Sequence, residues 1–390
     1  MARSYLATVL VFNFLIIRKE GHMGRERTGS VRIRDGKIYA RVVYFDETGK
    51  KREVQKIADT IAQAKKINKQ ILGDLEGYGA NILDGSKMTF KDLADYCLKH
   101  YFKEAEYAGD IKVSGHRGHK SNRGHFKPVV EYFGHKTLQS IRWADIAAYR
   151  TTRLKTATQR GTPRAIATVN RELAQLRRAL QIAKQQGWIK QNPFTQGDTL
   201  ISIADEKKRE RILTKEEETR LLEACTDRKA HLRLIIICAL DTGMRAGEIF
   251  KLKWKDINWQ TGLITIQAFH TKTFQERQVA MTKRLEKELW ELWALSSLKN
   301  NKPDVLVFGI TTDCKHSFIN LRRAVGLDDV RFHDLRHTAA TRMIEAGIPL
   351  QQVGRVLGHS QAQTTFRYIN LTVEAAKRAA TALDKFNEKL

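Results

Sequence analysis

The chain has 390 residues, and its 69 lysines and arginines against 43 aspartates and glutamates give a formal net charge of +26 at pH 7. This length allows two or three domains with a core each, and 42% hydrophobic residues exclude a wholly disordered chain. So large a positive excess indicates a polyanionic partner, either a nucleic acid or an acidic membrane surface. The four cysteines are far apart and form no C-x-x-C pair, which predicts reduced thiols and a cytoplasmic protein.

The first residues form a largely apolar run of 13 positions, from Tyr5 to Ile17. A helix of this length is too short to cross a bilayer, so we expect no membrane insertion. The run is similar to the apolar part of a secretory signal, but no small-x-small cleavage site follows it. Met23 begins a plausible chain of its own, and we interpret residues 1–23 as a start-site extension. A packed N-terminal segment and a targeting sequence are the alternatives.

Residues 24–78 predict a small three-stranded sheet followed by a helix. Alternating apolar and basic runs begin at Ser30 and are separated by two turn signals, Asp35-Gly36 and Glu47-Thr48-Gly49. Asp59 or Thr60 then caps an amphipathic helix. Basic side chains on exposed strand faces suit a β-ribbon that enters a DNA groove. We take four of them as DNA-binding candidates: Arg32, Arg34, Lys37 and Arg41. A solvated basic sheet is the alternative.

The stretch from Gly73 to Ser86 is predicted to be a linker, and residues 86–197 an all-α domain of about four helices with basic faces. Thr89 and Asp92 form a capping signal for its first helix. Residues 113–125 carry several histidines and basic residues, and we expect a flexible loop that contacts phosphates. No cysteine accompanies these histidines, so we assign no metal site. Residues 198–212 are predicted to be an exposed linker.

Residues 213–390 predict a mainly α-helical domain with a small sheet. Thr214 and Glu217 form a capping box, and a buried helix ends at Gly243. Two short strands, at 262–269 and 277–281, flank a turn at 271–276. A narrow apolar face after position 372 predicts a C-terminal tail helix. The fold class is therefore multidomain α+β: a small sheet plus helix, an all-α domain, and a mainly α domain with a small sheet.

Residue types suited to phosphodiester chemistry recur through this last domain. The candidate catalytic residues are Arg245, Lys272, His333, Arg336, His359 and Tyr368, with Glu248 and His337 as supporting residues. A guanidinium matches the non-bridging oxygens of a phosphate and stabilises the charge of a pentacoordinate phosphorus. A phenol supplies a nucleophile.

The order of these residues resembles that of the tyrosine recombinase, or phage integrase, family. An H-x-x-R pair or a late tyrosine alone is a weak signal, but here arginine, lysine, H-x-x-R, histidine and tyrosine follow one another in order. The spacing is 23 positions from Arg336 to His359 and nine more to Tyr368. By pattern and order, residues 86–197 resemble the family's core-binding domain and residues 24–78 its arm-type DNA-binding domain.

The resemblance implies a site-specific DNA recombinase, an integrase of a phage or integrative element. Such an enzyme cuts and rejoins DNA strands through a 3′-phosphotyrosyl intermediate in order to integrate or excise DNA. Tyr368 would attack the phosphorus, and Arg245 and Arg336 would hold the phosphoryl oxygens. The resemblance implies no metal, ATP or other cofactor.

It also implies roles for the remaining candidates. Lys272 would protonate the departing 5′-oxygen, and His359 would donate a further hydrogen bond to the phosphate. His333 would assist proton transfer from the tyrosine, and Glu248 would orient His333 or the second arginine. His337 is either a supporting residue or a histidine of the core.

The implied partners are double-stranded DNA, at core-type and arm-type sites, and three further copies of the chain in a homotetramer on DNA. An excision or directionality factor and a host DNA-bending protein are implied accessory partners, and no membrane is. The tail helix would dock on a neighbouring protomer or within its own chain. A type IB topoisomerase-like enzyme and a DNA-binding regulator without catalysis stay open as alternatives.

Overall fold

A computed structural model describes residues 28–390, apart from 47, 110, 160, 207–208, 268–275, 298–302, 311–312, 360, 367, 369–379 and a few positions after 381. The chain divides into two compact units, with the boundary in sequence between residues 207 and 208. This boundary lies within the linker predicted at 198–212. The further division of the first unit into two domains stays a prediction. Among the described residues, no helix combines the length and the apolar character needed to cross a membrane.

The first unit begins with an antiparallel sheet in the order β1-β2-β3 and a helix packed on one face of it. These elements are β1 (Thr28–Arg34), β2 (Lys37–Phe45), β3 (Lys51–Ala58) and α1 (Ile61–Tyr78). Alternate residues of β2 point toward α1, so that Val42 and Tyr44 pack against Ile71 and Leu75. The predicted sheet and helix are therefore present, with Thr60 as the helix cap.

The linker predicted from Gly73 to Ser86 is wrong over most of its length. Helix α1 continues to Tyr78, and a short helix, α2 (Asn81–Gly85), follows. Leu75 is only 2% exposed and extends the buried stripe of α1 by one turn. Its burial offsets the cost of about 1 kcal/mol that a glycine adds inside a helix.

The rest of the first unit is a helical bundle built from four main helices. They are α3 (Phe90–His100), α4 (His119–Phe133), α5 (Trp143–Lys155) and α6 (Ile166–Gln185). The predicted capping box of Thr89 and Asp92 opens α3. Phe90, Phe126 and Leu173 lie in one core with the other inward-facing residues of these helices.

The expectations of an all-α region and of a flexible loop at 113–125 need correction. A two-stranded hairpin, β4 (Glu106–Ala108) and β5 (Ile111–Ser114), precedes α4, which begins at His119. Ile111 and Val113 are 73% and 66% exposed. None of the described residues from 106 to 113 is buried, so the hairpin lacks the apolar alternation that identifies a half-buried strand.

The second unit contains eight helices and a three-stranded antiparallel sheet among its described residues. The helices are α7 (Lys215–Glu223), α8 (His231–Thr242), α9 (Ala246–Ile249), α10 (Lys283–Ser297), α11 (Lys315–Ala324), α12 (Phe332–Glu345), α13 (Leu350–Leu357) and α14 (Ala362–Phe366). The strands are β6 (Ile257–Asn258), β7 (Leu263–Ile266) and β8 (Arg277–Ala280), in the order β6-β7-β8. The predicted α+β class is confirmed.

Helix α12 lies at the centre of this unit. Every residue from Asp334 to Thr341 is buried, and the helix packs against α8 and α13. The start of the unit is fixed to the same helix, because Arg209 donates hydrogen bonds to Asp334 at 2.7 and 2.8 Å. The backbone N–H of Leu213 also donates to Thr338 Oγ1 at 2.9 Å. These contacts give α12 a fixed position in the unit, and α12 carries the H-x-x-R pair.

Candidate active site

Arg336 projects from α12 into a nearly closed environment and is 2% exposed. Its Nη1 donates to the carbonyl of Gly243 at 2.7 Å, and its Nη2 donates to the carbonyl of Leu357, also at 2.7 Å. These carbonyls belong to the C-terminal ends of α8 and α13, where helices leave acceptors without intrahelical partners. Burial and the positive charge of Arg245 lower the pKa of Arg336 to about 10, so the guanidinium is charged at pH 7.

Arg245 stands at the N-terminus of α9 and is tied to Glu248 one turn later. The Glu248 carboxylate accepts from the backbone N–H of Arg245 and from its Nη1, both at 2.9 Å. Arg245 Nη2 lies 3.4 Å from the carbonyl of Gly358. The Arg245 side chain is 28% exposed and that of Glu248 is 2% exposed. The carboxylate therefore holds one side of the guanidinium, and the side chain stays partly exposed to the solvent.

Arg277 on β8 completes this cluster, and the sequence reasoning missed it. Its Nη2 and Nη1 donate to the two carboxylate oxygens of Glu248 at 2.7 and 3.2 Å, and its Nε donates to the carbonyl of Val356 at 2.8 Å. The sequence does carry one signal for Arg277, because it lies two residues before the buried Val279 in the same strand. Residues two apart in a strand point to the same face, so Arg277 lies on the inward face.

Glu248 thus stays ionised although it is buried. Burial acts to raise its pKa, but the hydrogen bonds and charge of Arg277, followed by those of Arg245, lower the pKa below its usual range. The local charge is one carboxylate between two guanidinium groups.

His359 lies between Arg336 and the segment that carries Tyr368. Its Nε2 is 3.0 Å from Arg336 Nη2, and its Nδ1 is 2.8 Å from Thr365 Oγ1. Because a guanidinium only donates, Nε2 accepts in this arrangement, and the neutral ring carries its proton on Nδ1. Thr365 is 2% exposed and is a second residue that the sequence reasoning missed.

Tyr368 is 6% exposed, and its ring packs beside those of His337 and His359. Its ring is nearly parallel to that of His359, with centroids 6.0 Å apart, and lies 5.3 Å from the ring of His337. The backbone N–H of Tyr368 donates to the carbonyl of Thr365 at 3.1 Å. The tyrosine and His359 are therefore held through the same threonine.

His337 is 7% exposed and lies between two other rings of the site. Its ring centroid is 4.9 Å from that of His333 and 5.3 Å from that of Tyr368. His333 is at the surface, where the surrounding protein and the positive charges of His337 and Arg336 lower its pKa to about 4. The imidazole is therefore neutral at pH 7 and can accept a proton.

The structure brings together almost all of the predicted catalytic and supporting residues. They are Arg245, Glu248, His333, Arg336, His337, His359 and Tyr368. Lys272 lies outside the residues that the structure describes, as does most of the predicted tail helix. The site therefore joins residues of α9, α12 and the segment after α13, which are separated by up to 123 positions in sequence.

The four DNA-binding candidates all lie on the face of the N-terminal sheet that points away from α1. The register pairs Arg32 with Tyr39, Arg34 with Lys37, and Ser30 with Arg41, so their side chains share one face. Arg32, Arg34 and Lys37 are exposed. Arg41 is partly buried and forms an ion pair with Glu53 of the next strand. Three of the four side chains are thus open to a ligand.

Comparison with known proteins relates the second unit to a family. Residues 211–375 match the model of the phage integrase family. The match covers less than half of the chain, and it shows that residues 211–375 are similar to the phage integrase family.

Two curated relatives show how far the similarity extends. The shufflon-specific DNA recombinase of Escherichia coli is 30% identical over 239 residues, which are 60% of this chain and 59% of that protein. The integrase of Salmonella phage P22 is 26% identical over 234 residues, 57% of this chain and 58% of that protein. The chain therefore spans less than two thirds of the length of these relatives.

Solved structures share the fold at lower identity. The Tn1549 transposon integrase in complex with circular intermediate DNA has a TM-score of 0.57 and 20% identity, over 75% of this chain and 99% of that one. A lambda integrase dimer bound to a COC′ core site has a TM-score of 0.55 and 19% identity, over 73% of this chain and 96% of that one.

Proposed function

We propose that this chain is a site-specific DNA recombinase that integrates or excises the DNA of a phage or integrative element. The observation that carries the proposal is the convergence of two arginines, a histidine and a tyrosine in one site: Arg245, Arg336, His359 and Tyr368. These residues belong to separate elements, and the fold brings two guanidinium groups, an imidazole and a phenol into one site. The relatives named above are a recombinase and an integrase, which agrees with this chemistry.

The proposed reaction is a transesterification at a DNA phosphate. Tyr368 Oη attacks the phosphorus, the bond from phosphorus to the 5′-oxygen breaks, and a 3′-phosphotyrosyl bond and a 5′-hydroxyl result. Arg245 and Arg336 bind the non-bridging oxygens and stabilise the charge that develops on them. The ester bond is exchanged for another ester bond, so a second strand's 5′-hydroxyl can reverse the step without an external energy source.

Proton transfer requires a base for the phenol and an acid for the leaving oxygen. His333 is suited to the first role because its lowered pKa leaves the ring neutral at pH 7. Lys272 is proposed to donate a proton to the 5′-oxygen. His359 is proposed to donate to a phosphate oxygen from Nε2, which requires the ring proton to move from Nδ1 when Arg336 turns its Nη2 to the phosphate.

Duplex DNA is the proposed partner, bound by the domains at 24–78, 86–197 and 213–390. The open sheet face with Arg32, Arg34 and Lys37 would contact an arm-type site, and the two later domains a core-type site. Four copies would act together on DNA, with an excision or directionality factor and a host DNA-bending protein as accessory partners.

The test is covalent capture on a suicide substrate. The substrate is a nicked duplex that carries the element's attachment site, so that the cleaved end diffuses away and the adduct accumulates. The purified full chain should form an adduct that resists denaturant, that Tyr368→Phe abolishes, and that the exposed-tyrosine control Tyr78→Phe retains.

Two other outcomes would overturn the proposal. Binding to the attachment site without any adduct would favour the DNA-binding regulator without catalysis. An adduct accompanied by relaxation of supercoiled DNA, with no strand exchange between two attachment sites, would favour the topoisomerase-like enzyme.

A further inference from the structure

We infer that Arg277 is a positioning residue of the cleavage step, which acts on Arg245 through Glu248 without touching the DNA. The inference rests on the proposed function and adds to it a residue outside the predicted set. The hydrogen bonds of Arg277 go to Glu248 and to the Val356 carbonyl, and its side chain is 10% exposed against 28% for Arg245, so Arg245 is the more open of the two guanidinium groups that contact Glu248.

The hydrogen bonds give Arg277 a single orientation. Two of its nitrogens donate to the two oxygens of Glu248, at 2.7 and 3.2 Å, and a third donates to the carbonyl of Val356 at 2.8 Å. A planar guanidinium fixed by three acceptors on two different elements has no freedom to turn. Glu248 is fixed in turn, and the Glu248 oxygen 2.9 Å from Arg245 Nη1 sets the direction of that guanidinium.

The charges lead to the same conclusion. Glu248 is buried and contacts Arg245 and Arg277. Without Arg277, the carboxylate would neutralise Arg245 and would compete with a phosphate for its hydrogen bonds. With Arg277 present, the three groups carry a net charge of +1, which leaves a positive charge for the anionic oxygens of the scissile phosphate.

Arg277 also connects this cluster to the residues that precede His359. Its Nε holds the Val356 carbonyl in the last turn of α13, and its guanidinium packs against Gly358. In sequence it follows Lys272 by five positions. One side chain therefore links β8, Glu248 and the end of α13.

The experiment compares two versions of the suicide substrate in single-turnover cleavage. One has an ordinary phosphodiester at the scissile position, and the other has a methylphosphonate, in which a neutral methyl group replaces one anionic oxygen. A residue that maintains the charge and direction of Arg245 should matter for the first linkage and much less for the second.

We expect Arg277→Gln to cleave the phosphodiester about 10²-fold more slowly than the unchanged chain, the loss typical of one transition-state donor, and the methylphosphonate within about tenfold. Arg277→Lys restores the charge but not the paired hydrogen bonds, so it should recover part of the phosphodiester rate. The matched control is Arg153→Gln, which breaks another buried two-bond pair, that of Arg153 with Glu172. Its ratio of rates on the two substrates should equal that of the unchanged chain.

The inference is wrong if Arg277→Gln cleaves the phosphodiester at the original rate, or if it loses the same factor on both linkages. If circular dichroism shows that Arg277→Gln does not fold, the test depends on Arg277→Lys alone. The inference then requires this variant to cleave the phosphodiester more slowly relative to the methylphosphonate than the unchanged chain does. Failure of the proposed function has a different signature, because the unchanged chain would then form no adduct at all.

Discussion

Replacing Gly358 by alanine should damage the site more than the fold. Gly358 ends α13 with φ +67°, a left-handed conformation that costs an alanine about 1–2 kcal/mol. An added Cβ would also lie 2.9 Å from Arg277 Nη1 and 3.0 Å from its Cζ and Nε. The Arg277 guanidinium would have to move by about 0.5 Å to reach ordinary van der Waals contact with this Cβ. The movement would weaken the hydrogen bonds that Arg277 donates, and a hydrogen bond of a charged group is worth about 1.5–3 kcal/mol.

We therefore expect Gly358→Ala to lower the free energy of unfolding by about 3 kcal/mol and the cleavage rate by about 10²-fold. The control is Gly347→Ala. Gly347 also has a positive φ, +86°, but nothing lies within 4 Å of an added Cβ. The Gly347→Ala variant should lose about 1–2 kcal/mol of its free energy of unfolding, measured in urea, and should keep the cleavage rate of the unchanged chain on the suicide substrate. Equal cleavage rates for the two variants would refute the argument that Gly358 serves Arg277.

Three further outcomes follow from the site and the sheet. In NMR titration of the free protein, the His333 ring should have its midpoint near pH 4, and a midpoint above 6 would contradict this. Because the pKa of the same histidine is 6.5 in the unfolded chain, the folded state loses stability as the pH falls from about 6.5 to 4. Thr365→Val removes the partner of His359 Nδ1 and should slow cleavage about tenfold, and an unchanged rate would show that another group orients the ring. The double change Arg32→Ala with Arg34→Ala should reduce by about 2 the slope of log affinity against log salt for arm-type DNA, measured by fluorescence anisotropy, and an unchanged slope would remove the sheet face from the interface.

Much of the helical framework could be predicted because its signals are local. The capping boxes at Thr89 and Thr214 and the end of α8 at Gly243 depend on hydrogen bonds within one turn of the chain. The order of the catalytic residues is also readable, since it is a property of the sequence alone. The convergence of these residues in space cannot be predicted in this way, because it depends on how α9, α12 and α13 pack.

Most of the misses have a common physical cause, which is that the feature depends on a distant partner. The hairpin at 106–114 is the exception, because none of its described residues up to 113 is buried and no apolar pattern marks its strands. Helix α1 continues through glycines because Leu75 reaches the core. Arg277 is identifiable only when Glu248, 29 positions earlier, lies beside it. A charged residue on the inward face of a strand needs a buried partner of opposite charge, but the sequence does not say which one.

The arginines of the site have structural and chemical roles that cannot be separated by deletion alone. Arg336 satisfies the carbonyls at the ends of α8 and α13, and each of these helices ends at a glycine that turns the chain away and leaves a carbonyl facing the arginine. A phosphate that binds Arg336 must therefore share this guanidinium with the C-terminal ends of two helices. The negative ends of the two helix dipoles also stabilise the positive charge of Arg336. Loss of Arg336 would leave buried acceptors unpaired and would lower stability as well as rate. For this reason Tyr368→Phe, which removes one oxygen atom, is the variant that tests the chemistry, while the arginine variants test how the fold prepares it.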